Sequence, residues 1–262
     1  MAWTPVQHRE DVGLLNDPES LAFSGNVTNG NLIVVFYTYG DNTGAAPTFS
    51  QSAGTATTSS WTTMPNNVRE SVNGQGIAGG WALVTGTGSC TVHASSGQGL
   101  AGSSQQAISE WSGNAAASVG DVSQGHVTTG TSPASSSITP NENGALVIAA
   151  AMDDTAGAGS ITGPGTGWSE LAASGGANLM EVQYIVQSVA AGISATWANS
   201  ANEASINMIM AFKPPSGATR GLFLHDLMHG DGVGGSFFRN PLAAPAGFAR
   251  RDRIYVPARM AA

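Results

Sequence analysis

NLIVVFYTY, residues 31–39, is an apolar run broken only by Asn31 and Thr38. A strand with one wet face alternates apolar and polar side chains. An unbroken β-branched and aromatic run of this length therefore reads as a strand covered on both faces. ALVIAAAM (145–152) and SINMIMAFK (205–213) read the same way. Shorter β-type runs lie between clusters of Gly, Asn and Ser: GWALVTG (80–86), CTVHAS (90–95), AISEWS (107–112), MEVQYIVQS (180–188) and ISATWAN (193–199). No stretch of the body keeps a period of 3.6, so the expected fold class is all-β.

The runs recur in order. Asn29-Gly30-Asn31-Leu32-Ile33 matches Asn143-Gly144-Ala145-Leu146-Val147 at a spacing of 114, and Trp61 with its Thr-Thr-Met matches Trp168 with its Ser-Glu-Leu at 107. Trp81 to Val84 aligns with Gln183 to Val186 at 102, HASS (93–96) with WANS (197–200) at 104, and AISEWS with IMAFK at about 101. The sequence thus divides into an N-terminal segment (1–17), a β-sandwich over 18–214 with half-repeats at about 18–113 and 130–214, and a C-terminal arm over 215–262. One shared sandwich is favoured over two, because either half alone leaves long apolar strands as open edges.

Composition separates body from arm. Hydrophobic residues make up 41% of the 262 residues and charged residues only 10%, which excludes the charge-rich profile of a disordered chain. Up to Pro214 there are three basic and fourteen acidic residues, a net charge of −11; beyond it there are six and three, a net of +3. An acidic body argues against nucleic acid as a partner, and four clustered arginines are too few for a strong nucleic-acid arm. Cys90 is the single cysteine, so no intramolecular disulfide forms. No signal peptide and no membrane span is read from the sequence, and no membrane partner is expected.

Val27 to Leu32 (VTNGNL), Trp61, Gly80 to Ala94, Glu110 to Gly113 (EWSG) and Ala211 to Pro214 (AFKP) form an ordered pattern. It resembles a group of jelly-roll-like β-sandwich proteins found in bacteriophage virions and among bacterial surface domains, over residues 18–214. The resemblance implies a jelly-roll-like sandwich of two similar halves and a non-enzymatic virion role, that of a capsid decoration or accessory protein. Its partners would be other copies of itself or a major capsid or tail protein. Assembly in a host cytoplasm and release by lysis would reconcile an extracellular-looking surface with the absence of a leader. The alternative from another class is the carbohydrate- or receptor-binding head of a tail fibre or adhesin, with loops 41–60, 113–140 and 153–167 facing surface glycans.

The arm has no counterpart in that group. Phe223, Phe237, Phe238, Phe248 and Tyr255 are spaced by Gly and Pro and accompanied by Arg250, Arg251, Arg253 and Arg259. Such a segment is too broken for its own core and too apolar to remain solvated. Docking on a neighbouring subunit is expected, with aromatic rings in pockets and guanidinium groups on carboxylates; packing on its own body is the alternative.

Candidate chemistry is sparse. His225 and His229 in HDLMH have metal-ligand spacing, but Asp226 stands where a zincin needs Glu, and Gly230 and Gly232 end any helix. Asp153 and Asp154 follow a strand end as calcium ligands often do, yet Asp41 takes the equivalent place in the other half, which favours a turn role. Glu110, Glu142, Glu170, Glu181 and Glu203 supply carboxylates for a glycosidase without any sequence reason to pair two of them. Cys90 and His93, three apart in a strand, point to opposite faces. No catalytic residue, metal or cofactor is assigned. Trp61 and Trp168, equivalent in the repeat, read as core residues, and Trp3 as an anchor of the N-terminal segment.

Overall fold

Every regular element among the described residues is a β-strand, and every strand pairing is antiparallel. The computed structural model describes residues 2–11, 16–40, 45–71, 74–99, 104–113, 118–153, 160–173 and 180–215. The chain divides into two compact units, Met1–Thr219 and Arg220–Ala262. The second unit, with every arm residue named above and with His225 and His229, lies outside the described residues, as do Asp41 and Asp154.

The first half runs β1 (Thr4–Glu10), β2 (Glu19–Ala22), β3 (Leu32–Gly40), β4 (Thr48–Ala53), β5 (Thr57–Thr58), β6 (Thr62–Thr63), β7 (Val68–Arg69), β8 (Gln75–Gly86), β9 (Thr91–Ser95) and β10 (Gln105–Ser112). The second runs β11 (Gly120–Thr129), β12 (Ala145–Asp153), β13 (Ile161–Thr162), β14 (Ser169–Ala173), β15 (Glu181–Gln187), β16 (Ala198–Asn199) and β17 (Ala204–Phe212). The large sheet of the first half has the order β1-β10-β3-β8, with β5, β6 and β7 all pairing with β8; its small sheet is β2-β9-β4. The second half repeats this plan. Its large sheet is β11-β17-β12-β15-β14, and its small sheet is β13-β16, extended by the bridges Ala134–Thr196 and Ile138–Ile193.

The unbroken apolar runs are explained by three cores. Leu32, Val34 and Phe36 of β3 meet Leu146, Ile148 and Ala150 of β12 and Met208, Met210 and Phe212 of β17 in a central core between the two large sheets. The alternate residues Ile33, Val35 and Tyr37 face the first half's own small sheet, while Val147, Ala149, Ile209 and Ala211 do the same in the second half. Each such side chain contributes roughly 1.5–3 kcal/mol by leaving water. Where the sequence favours one shared sandwich, the structure has two, back to back in four layers. A strand buried on both faces needs a layer on each side, and the central pair of sheets supplies it.

Two boundaries also shift. Residues 4–10, set apart on sequence as part of an N-terminal segment, form β1 within the first large sheet, and the second half begins at β11 rather than near residue 130. Ladder register corrects the repeat as well. Val34 pairs with Trp81 and Ile148 with Tyr184, so with Val34 equivalent to Ile148 the offset along β8 and β15 is 103 rather than 102. A slip of one residue exchanges the two faces of a strand. The same parity applies to HASS and WANS, because His93 points out of its core while Trp197 is buried in its own.

Gly79 and Gly80 let the layers close on β8. A Cβ on Gly79 would lie 2.1 Å from Met210 Sδ across the central core, and one on Gly80 would lie 2.5 Å from the Phe49 ring on the other face.

Candidate functional site: a carboxyl cluster at the seam

β1 is an edge strand that its own sequence keeps from pairing outward. Pro5 lacks an N–H, the register shifts between Pro5 and Gln7, and His8, Arg9 and Glu10 follow. β1 lies against β14 of the other half, and β11 lies against β7, so the edges of the two halves meet reciprocally. Where β1 ends, Glu10 and Asp11 are joined by Asp17 just before β2 and Glu19 at its start, and by Glu170 of β14 and Glu181 at the start of β15.

The carboxyl groups of Asp11 and Glu19 act directly on one another, as do those of Glu170 and Glu181. Burial, reinforced by the nearby Glu170 and Asp11, pushes Glu10 up to about 7. Burial and Glu170 likewise push Glu181 up to about 7. Burial also raises both Asp11 and Glu19, the latter against the added charge of Asp11. The amide of Gln105, fully buried, ties the cluster to both halves: its Nε2 donates to the Asp11 carbonyl at 3.1 Å and its Oε1 accepts from the Met180 N–H at 2.6 Å.

Asp17 shows the opposite response. Burial alone would raise it, but its oxygens accept from Tyr37 Oη at 2.7 Å, Ser96 N and Oγ at 2.8 Å, Gly99 N at 2.9 Å and Gln98 N at 3.0 Å. These donors hold it down at about 2.

Of the five glutamates noted as carboxylate candidates, the structure brings together Glu170 and Glu181. Glu110 is fully buried and accepts from Gln7 Nε2, Thr28 N and Asn31 Nδ2, at the opposite end of the sheet. Glu142 is exposed on the turn before β12, and Glu203 is half-buried before β17. Glu10, Asp11, Asp17 and Glu19 were missed by sequence reasoning. Their signal was density: four acids fall within the first nineteen residues of a chain that is 10% charged.

The remaining candidates resolve into packing. Asp153 is buried and accepts from Asn199 Nδ2 at 3.1 Å. Cys90 lies in the first half's outer core, where burial and Glu110 push its thiol up to about 11, while His93 faces away and bonds Ser20 Oγ through Nδ1 at 3.0 Å. Trp61 and Trp168 pack on the outer cores of their respective halves. Trp3 is buried in the central core, and its indole N–H donates to the Lys213 carbonyl. Among the described residues no three His, Cys, Asp or Glu side chains converge to hold a metal ion. The crevice lined by His8, Phe36, Leu171 and Val182 beside the cluster has no room for a water molecule.

No protein-family model, no curated protein and no solved structure matches this chain.

Proposed function

We propose that the protein is a non-enzymatic structural component of a bacteriophage particle, a decoration or accessory protein whose C-terminal arm docks on neighbouring subunits. The observation that carries this is the strand order of each half. An eight-strand antiparallel ribbon pairs first with eighth, second with seventh, third with sixth and fourth with fifth. Rolled into two sheets, it puts first, eighth, third and sixth in one sheet and second, seventh, fourth and fifth in the other. Counting β5 to β7 as one position, the orders β1-β10-β3-β8 and β2-β9-β4 follow this scheme, as does β11-β17-β12-β15. The exception is the fifth position (β5 to β7, and β14), which pairs with the sixth (β8, β15) in the large sheet instead of with the fourth. Each half is on this basis a jelly roll, an architecture used in capsids and in lectins, and the two are joined through a filled central core.

Burial refines how the arm docks. Of the twelve described acidic residues, Asp11, Asp17, Glu19, Glu70, Glu110, Asp153 and Glu181 are buried. The net charge of −11 thus overstates what an incoming arginine meets at the surface, and the aromatic residues of the arm carry more of the docking. Its partners are other copies of the chain or a major capsid or tail protein, and its place is the virion.

Light scattering on the full chain and on a chain ending at Thr219 tests this. A defined oligomer from the full chain and a folded monomer from the shorter one supports arm-mediated assembly. Monomers from both, with no binding of the full chain to particles of the same phage, sink the proposal.

A further inference from the structure

Two carboxyl pairs, Asp11 with Glu19 and Glu170 with Glu181, flank Glu10, one in each half of the molecule. A hydrogen bond between two carboxyl groups exists only while one of them holds a proton, and two ionised groups at that distance repel. Both Glu19 oxygens, Asp11 Oδ2 and Glu10 Oε2 are buried, and no N–H or hydroxyl reaches them. Glu19 is only 4% exposed and Asp11 8%, so bulk water has little access to them.

The surroundings do not neutralise the cluster in another way. On β1, His8 lines the adjoining crevice and Arg9 acts on Asp11, while the Arg9 guanidinium also donates to the Ala22 carbonyl. From the approach to β2, Asp17 adds a further negative charge toward Glu19. β14 contributes Glu170 and β15 contributes Glu181. β10 contributes the neutral Gln105, since Glu110 lies at its far end. A divalent cation would need three or more converging ligands, and the described side chains do not supply them.

We propose that this cluster is a proton-operated latch: protonated, it closes the seam where β1 meets β14, and ionised, it forces that edge of the two halves apart. The ligand is the proton, and the moving part is the edge, because the central core behind it is built from apolar side chains such as Leu32, Phe36, Ile148 and Met210. The direction follows from the raised carboxyls. Their stabilisation is fully present below the ordinary value of 4.5 and is lost as pH rises through about 7.

The test uses the full chain. Calorimetry between pH 5 and pH 8.5 is expected to show a fall in Tm of at least about 4 °C. Amide exchange in β1, β14 and β15, corrected for intrinsic rate, is expected to rise over the same range while that of β3 and β12 stays constant. Glu10→Gln and Glu181→Gln should flatten the profile, and Glu142→Gln, at the opposite end of β12, should leave it as in the native chain. A flat native profile, or glutamine variants that fall as steeply as the native chain, overturns the latch. Should a glutamine variant not fold, carboxyl-carbon NMR titration of the native chain decides: midpoints for Glu10 and Glu181 near 4.5 overturn the proposal. If millimolar calcium chloride at pH 8 restores the Tm seen at pH 5, the site is a cation site and the proton latch is wrong.

Discussion

The backbone N–H of Met180, which leads into β15 of the second half, donates to Oε1 of Gln105 in the first half at 2.6 Å. The other end of the same amide donates to the Asp11 carbonyl at 3.1 Å, so one fully buried side chain binds β1, β10 and β15 together. Gln105→Leu keeps the volume and removes both bonds, leaving buried polar groups without this partner. The expected loss is about 1–3 kcal/mol, read from the urea midpoint at constant m. A loss below about 0.5 kcal/mol would mean that the amide is not a tie between halves.

The close approach of Gly79 to Met210 predicts non-additivity. Gly79→Ala puts a methyl 2.1 Å from Met210 Sδ and is expected to cost about 1–3 kcal/mol by overpacking. Met210→Ala alone opens a cavity in the central core at about 2–5 kcal/mol. Combined, each relieves the other, so the double variant should be more stable than the sum of the two losses implies. Strict additivity would show that the two large sheets do not meet at this point.

Asp17 sets an acid limit. Its carboxyl, held at about 2 against an ordinary 3.8, contributes stability that is present above pH 4 and lost as pH falls through about 2. Glu10 and Glu181 act in the opposite window, from 4.5 upward through about 7. Together these groups place the stability maximum near pH 4. Asp17→Asn should lower stability at pH 7 and remove the decline between pH 4 and pH 2, measured by circular dichroism at fixed urea.

Cys90, 2% exposed and with its thiol pushed up to about 11, should resist alkylation at pH 8 in the folded protein and react at the rate of a free thiol in denaturant. Fast labelling of the folded chain would mean that the first half's outer core opens readily. Labelling kinetics against urea would then report the stability of that half alone.

How much of this was legible in the sequence differs from strand to strand. NLIVVFYTY, ALVIAAAM and SINMIMAFK announced β3, β12 and β17, because strands buried on both faces can hold little but apolar residues. β1 (TPVQHRE) and β11 (GDVSQGHVTT) went unread, because edge strands carry the Pro, Gly and charged residues that also mark loops. The repeat was visible, but its register on β8 and β15 was not, since Trp81 and Tyr184 become equivalent only once their ladder partners Val34 and Ile148 are known.

Sequence alone determined the all-β class, the twofold repeat and the segregation of basic residues into the last 48 residues, each of which is a pattern local in the chain. Tertiary structure alone decided that the two halves close separate sandwiches around a third, shared core, and that Glu10, Asp11, Glu19, Glu170 and Glu181 meet at one seam. Periodicity records how many faces of a strand are buried, but not which layer buries them. Residues 10 and 181 become neighbours only when β1 is laid against β14, a contact for which no local pattern codes.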